Sequence, residues 1–168
     1  MKKFLIFILL FIVACTGNKI DEAEIKEANQ FFESIFLDAV QDSPEFQTRL
    51  GYKSNYDKWD SFGWKKIRDE AKEANYDLKY LHDNINYEKL DDATKVSYRM
   101  LENRLERKIK ASKFVFNDYP VTHRGGKHSS IPSFLINYHN IDNEEDVKAY
   151  LRRLSKVETL MDGFIKEL

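Results

Sequence analysis

A chain of 168 residues with a single cysteine, Cys15, can form no intramolecular disulfide and no multi-cysteine metal site. Three prolines and six glycines impose few breaks, which favours helices over a turn-rich β fold. Neither sign of charge prevails: 27 basic side chains face 28 acidic ones, for a formal net charge of −1. Such a balance gives a polyanion no general attraction, so nucleic acid is not expected as a partner. No apolar run reaches the roughly 20 residues that span a bilayer. What is abundant is aromatic bulk, 14% of the chain. That is enough to build a core and argues against disorder, and the length suits one domain.

The longest apolar run, Phe4 to Ala14, follows Lys2 and Lys3 and ends at Cys15. A cationic start, a short apolar stretch and a small residue at its end is the layout of a secretory signal. Ile12-Val13-Ala14-Cys15 resembles the lipobox of bacterial lipoproteins. The resemblance implies cleavage before Cys15 and a diacylglycerol on its thiol, buried CH₂ by CH₂ in the bilayer. The expectation is therefore a signal over residues 1–14, a lipidated tether over 15–21 and a helical region over 22–168. The mature protein would be exported and anchored by lipid to the bacterial cell envelope. Thr16 after the cysteine resembles the pattern that leads to the outer membrane in Gram-negative bacteria. An ordinary signal peptide or an uncleaved anchor is the alternative. Removing residues 1–14 takes away two lysines and no acid, moving the formal charge from −1 to −3.

Apolar residues recur at three- and four-residue steps through most of the remainder, and no strand alternation competes. Ile25, Ala28, Phe32, Ile35, Phe36 and Ala39 predict a helix from about Glu22 to Gln41. Ser43-Pro44 predicts a capped start, and Gly51 a left-handed stop, for a short helix carrying Phe46 and Leu50. Ser61 is expected to cap a third helix, to about Asp83, with Trp64, Ile67, Ala71, Ala74, Leu78 and Leu81 inward. Asp91 or Asp92 starts a fourth, to about Phe116. Its expected inward stripe is Val96, Met100, Leu101, Leu105 and Ile109, with Arg104, Arg107, Lys108, Lys110 and Lys113 on a solvated outer face. Pro120 to Ser133 reads as irregular, followed by a short apolar piece, Phe134 to Tyr138. Asp142 and Glu145 then suggest a capping box. They open a last helix whose stripe is Val147, Tyr150, Leu151, Leu154, Val157, Leu160, Met161, Phe164 and Ile165. The class is all-α, an array of about five helices. The last stripe reaches Leu168 with no cap, so further chain is expected after 168, and the array is read as the N-terminal part of a larger helical domain.

Three segments carry a resemblance: SPEFQTRLGYKSNYDKWDSFG (43–63), NDYPVTHRGG (117–126) and EEDVKAYLRRLSKVETLMDGFI (144–165). An early Pro…Gly-hydrophobic…Tyr-Asp element precedes a later acid-Asp…Tyr-Leu-x-Arg-Leu helix. In order and spacing they resemble the N-terminal part of the DUF885 family, bacterial and often exported helical proteins. Full-length members look like zinc metallopeptidases whose His-Glu…His motif lies far downstream. None of the four histidines here, His82, His123, His128 and His139, is followed by Glu. The resemblance thus implies no catalytic or metal residue in this chain and no cofactor; zinc and a peptide substrate belong to a full-length member. The rival reading is a complete small helical lipoprotein that binds a partner and catalyses nothing.

Site candidates follow from residue type. THRGGKHSS (122–130) could be a substrate-contacting loop through His123, Arg124, Lys127 and His128. It fails as a phosphate loop, because Val121 and His128 stand where glycine and Ser or Thr are required. Zinc would need His123, His128 and His139 brought together, with Asp118 or Asp142 as a fourth ligand. Asp57, Asp60, Asp91 and Asp92 could act as an acid–base pair only if held across a cleft; caps and solvated positions account for them equally. Tyr52, Tyr56, Trp59, Phe62 and Trp64 could stack on a ligand or pack a loop onto the core.

Overall fold

The computed structural model describes residues 20–117 and 121–166. The signal, Cys15, most of the tether and Asp118 lie outside the described residues. The fold is all-α. Seven α-helices are present among the described residues: α1 (Glu22–Gln41), α2 (Pro44–Arg49), α3 (Trp64–Asn84), α4 (Asp92–Ala111), α5 (Lys127–Asn137), α6 (Glu144–Ser155) and α7 (Val157–Lys166). A two-residue hairpin, β1 (Val121–Thr122) and β2 (Gly125–Gly126), pairs Val121 with Gly126 and Thr122 with Gly125.

α1, α3 and α4 enclose the first core. Ala28, Leu81, Ile85, Leu90 and Tyr98 are buried there, with Ile25, Phe31, Phe32, Tyr87 and Leu101 packed against them. The small residues Ala28, Ala71 and Ala74 let the helices approach closely. Phe31 stacks on Tyr80 at 4.5 Å between ring centroids. The connection between α3 and α4 is a single 3₁₀ turn, Tyr87–Lys89. It is tied to the start of α1 by the Asp21 N–H donating to the Lys89 carbonyl at 2.9 Å.

α1 keeps its predicted bounds, and Asp21 caps it. α2 starts as its sequence demands: the Phe46 N–H donates to the Ser43 hydroxyl, and Pro44 takes the first position. It also ends so. Gly51 sits at φ 86°, its N–H donating to the Thr48 carbonyl and that of Tyr52 to the Gln47 carbonyl, which is the Schellman arrangement.

Four expectations are corrected. α3 begins at Trp64 after Gly63, at φ 107° and with no side-chain cap, so Ser61 is not the cap. α4 ends at Ala111 and continues to Asn117 as a 3₁₀ stretch bent at Phe114. Of Pro120 to Ser133, expected to be irregular, the described residues 121–133 are regular: the hairpin leads straight into α5, which tolerates Pro132 in its second turn. Finally, the last helix is broken at Lys156 into α6 and α7, and Asn143, not Asp142, caps α6 by accepting from the Asp146 N–H.

The inward stripes are corrected too. On α4, Thr94, Tyr98 and Leu105 are buried while Val96 and Met100 are exposed. On α7 the predicted stripe faces in as expected, with Phe164 buried, Val157, Leu160 and Met161 half-buried and only Ile165 of its described members exposed. On α6 most of it faces out: Val147, Leu151 and Leu154 are exposed, Tyr150 is half-buried against His139, and Asp146, Ala149 and Arg153 are buried. Periodicity locates two faces on such a helix but does not say which one the neighbours occupy. On α6, hydrogen bonding decides.

Candidate functional site

The inward face of α6 meets the loop that follows α2. That loop is held by Gln47, which is buried; its amide donates to the carbonyls of Val40 and Gln41, and its oxygen accepts from Ser54 and Asn55. Asp60, at the far end of the loop, accepts from the Ser43 hydroxyl at 2.6 Å and the Glu45 N–H at 2.8 Å, a second cap on α2.

Into this loop α6 inserts Arg153, fully buried. Its Nε donates to the Lys58 carbonyl at 2.9 Å, and one terminal nitrogen donates to the same oxygen at 2.6 Å and to Thr48 Oγ1 at 3.1 Å. The other terminal nitrogen donates to His139 Nδ1 at 3.0 Å. Phe134, Trp59 and Tyr56 present their rings to the guanidinium at 4.9, 5.4 and 5.6 Å. The Arg153 backbone carbonyl accepts from the Trp59 indole at 2.9 Å. Among the described residues no carboxylate lies within ion-pair distance, so neutral acceptors and aromatic faces solvate this cation. Burial pushes its pKa down, yet a guanidinium stays charged at any ordinary pH.

The contact with Arg153 fixes the state of His139. Arginine can only donate, so Nδ1 accepts, and Nε2 carries the proton and donates to the Asp146 carbonyl at 3.2 Å. The ring stacks on Tyr56 at 4.0 Å, and the Tyr56 hydroxyl donates to the Asn140 carbonyl. Burial is the main cause that lowers the His139 pKa, and the Arg153 charge adds to it. At the rim, Lys53 bonds to Asp142 at 2.8 Å and to Asp146 at 2.6 Å. Those two bonds raise the Lys53 pKa, and the Lys53 bond lowers that of Asp146. The buried side-chain polar atoms here all have hydrogen-bond partners within the fold, so the cluster is a joint that clamps α6 to residues 44–60.

A groove of about 580 Å³ lies on another side, walled by Phe62, Trp64, Ile67, Phe114, Val115 and Phe164. Phe62 packs edge-on against Phe164. Gly163 permits this, since a Cβ there would stand 3.1 Å from the Phe62 ring. Lys127 reaches the groove and lies 3.8 Å from Glu45 Oε1. Of the predicted loop residues, only Lys127 lines this space; His123, Arg124 and His128 are exposed on and beside the hairpin.

The other candidates separate. Both nitrogens of His139 are engaged, while His123 and His128 are exposed, so the structure does not gather the three. Among the described residues no group of three or more His, Cys, Asp or Glu could hold a metal ion. Asp57 pairs with Lys156 at 3.0 Å, and Asp91 caps α4 through the Thr94 N–H. The aromatic set divides: Tyr56 and Trp59 serve the joint, Phe62 and Trp64 the groove, and Tyr52 is exposed. Sequence reasoning missed Arg153 and the role of His139. The available signal was the Tyr-Leu-x-Arg-Leu element, whose arginine is Arg153. No described helix is long and apolar enough to cross a membrane.

A family model described as a bacterial protein of unknown function, DUF885, matches residues 44–168. Comparison with curated proteins and with solved structures gave no match. The match opens at Pro44, the first residue of α2, and takes in both halves of the joint.

Proposed function

The chain belongs to the DUF885 family, and on that premise we propose that it is the N-terminal helical portion of a peptidase-like, lipid-anchored exported protein. In this reading it supplies structure and binding surface, and bond cleavage belongs to the zinc motif of a full-length member, a His-Glu…His pattern that does not occur in this sequence. The observation that supports it is the outer stripe of α6. Val147, Leu151 and Leu154 are 41%, 57% and 46% exposed, although their spacing is that of a face meant for burial. The joint pulls the opposite face of α6 inward and leaves this stripe for the remainder of such a protein to cover. An apolar face of this kind marks an interaction site.

The test is hydrophobic-dye fluorescence and sedimentation of the chain, with and without Leu151→Lys and Leu154→Lys together. We expect the parent to bind dye or self-associate and the double variant to do neither. A parent that is monomeric and silent to dye would remove the support for this reading. It would favour the second one, a complete small lipoprotein that binds a ligand. The observation on that side is the aromatic groove beside Lys127, whose volume suits a small ligand.

A further inference from the structure

α4 carries a face that the core does not use. Its inward side is Thr94, Tyr98, Leu101 and Leu105. On the other side Val96 and Met100 are 59% and 69% exposed. At 3.6 residues per turn, Arg99, Arg104, Arg107 and Lys110 all fall within about 80° of the line through Val96 and Met100. Each of the four is exposed. Among the described residues none of them has a carboxylate within 4.0 Å; of the α4 lysines, Lys108 is the one that reaches an acid, Glu70. Of the α4 acids, Glu102 turns to His82 at 2.7 Å, Asp92 shares this face one turn before Val96, and Glu106 stands about 20° beyond Arg99 at its edge, so the four cations still outnumber the acids on and beside it. Val96, Met100, Arg104 and Arg107 line one shallow depression.

We propose that this face of α4 docks on an anionic lipid surface. The four cations meet headgroup phosphates, while Met100 and Val96 enter the layer beneath. Two observations select lipid over nucleic acid. The face presents exposed aliphatic side chains, which a polynucleotide cannot bury, and its nearest ring, Tyr87, is half-buried and covered by Arg99 at 5.1 Å and Lys95 at 5.4 Å, so it is closed to a stacking base. An interface that is charged above and greasy below takes both kinds of side chain at once. Arginine suits it, since its long stem lies along apolar surface while its head stays with the phosphates. In the cell the docking rests on the membrane-tethered reading, which brings α4 to a bilayer. On vesicles it does not, because no lipid on Cys15 is needed there.

The test uses the full chain with Cys15→Ser and one polarity-sensitive fluorophore, placed either at Met100→Cys or at Tyr76→Cys. Tyr76 is 70% exposed and faces the α1 side of α3. Vesicles of phosphatidylglycerol mixed with phosphatidylcholine should shift the label at 100 to the blue and leave that at 76 unchanged. Pure phosphatidylcholine should shift neither. Arg104→Gln with Arg107→Gln should weaken partition about 30-fold, from the per-cation attraction of an anionic surface. The N-terminal apolar run is present in every variant, so its own insertion cancels between label positions. Equal shifts at both positions, indifference to lipid charge, or a shift given by RNA and not by vesicles would each overturn the docking. Mass analysis of Cys15 in the native host reads the tether separately: an unmodified thiol together with a retained shift would sink the tether and spare the docking.

Discussion

Replacing Arg153 by Met keeps most of the side-chain volume and removes the charge. Two effects oppose each other. Met relieves the desolvation of a fully buried cation without a carboxylate partner. It also strips the Lys58 carbonyl and His139 Nδ1 of their donors. Thr48 Oγ1 loses a donor as well but still donates to the Pro44 carbonyl. Each orphaned acceptor costs about 1–3 kcal/mol, and three cation–π contacts go with the charge. With the guanidinium already solvated by those groups, the orphaned acceptors dominate, and the expected net loss is about 3 kcal/mol. That is a large share of the roughly 5–15 kcal/mol of a typical domain. Urea unfolding followed by circular dichroism, at unchanged slope, reads it directly. Arg153→Lys should do no better than Met, because it retains the desolvation cost and cannot fork to the four acceptors on Lys58, Thr48, His139 and Asn55. A Met variant as stable as the parent would mean that burial of the charge, and not its hydrogen bonds, decides the balance. A Lys variant within about 1 kcal/mol of the parent would show that charge suffices without the fork. Either result refutes the joint as described.

Three further outcomes follow from the same geometry. Below the ordinary histidine value of 6.5, the unfolded chain takes up a proton that buried His139 resists, so stability falls as pH drops from 6.5. His139→Gln, which keeps an acceptor for Arg153, should flatten the dependence between pH 6.5 and 5, by up to about 1.4 kcal/mol per pH unit; an unchanged slope would place the proton elsewhere. Asp146 and Asp57, both with lowered pKa values, add their own loss only further down, as pH falls below 3.8. Gly51→Ala meets no atom within 4 Å but must hold φ near +86°, so it should lower stability by about 1–2 kcal/mol through the backbone alone. Gly51→Asn should recover part of that. Tyr56→Phe removes one hydroxyl, donated to Asn140, and keeps the stack on His139; a loss of about 1 kcal/mol in the urea midpoint is expected.

Local signals were legible where local physics decides. Ser43, Pro44 and Gly51 mark the ends of α2, and Asp91 the start of α4, because caps act within four residues. Asn143 was passed over for Asp142, since either residue can cap and only the Lys53 contact occupies Asp142. The α6 stripe was read inside out for a different reason. An arginine is almost never fully buried, so a helix bearing Asp146 and Arg153 on one side and Val147, Leu151 and Leu154 on the other is assigned by hydrophobicity to the wrong face. The acceptors that reverse this choice, at Thr48, Lys58 and His139, lie in distant segments that no periodicity within α6 can report. The groove was beyond reach for the same reason: its walls come from the loop before α3, α3 itself, the 3₁₀ stretch after α4, and α7.

The joint ties residues far apart along the chain. Thr48 and Arg153 are separated by 105 positions, and Lys58 and Arg153 by 95. Closing a loop of that length before any contact rewards it is slow. The α3–α4 hairpin, closed by one 3₁₀ turn, can form at once. These separations predict that folding runs from the middle of the chain outward, with the clamp on α6 closing last. Interactions absent from the transition state set the rate of unfolding and not that of folding. Arg153 is thus a brake on opening: its loss should leave the refolding rate nearly unchanged and shorten the lifetime of the folded chain.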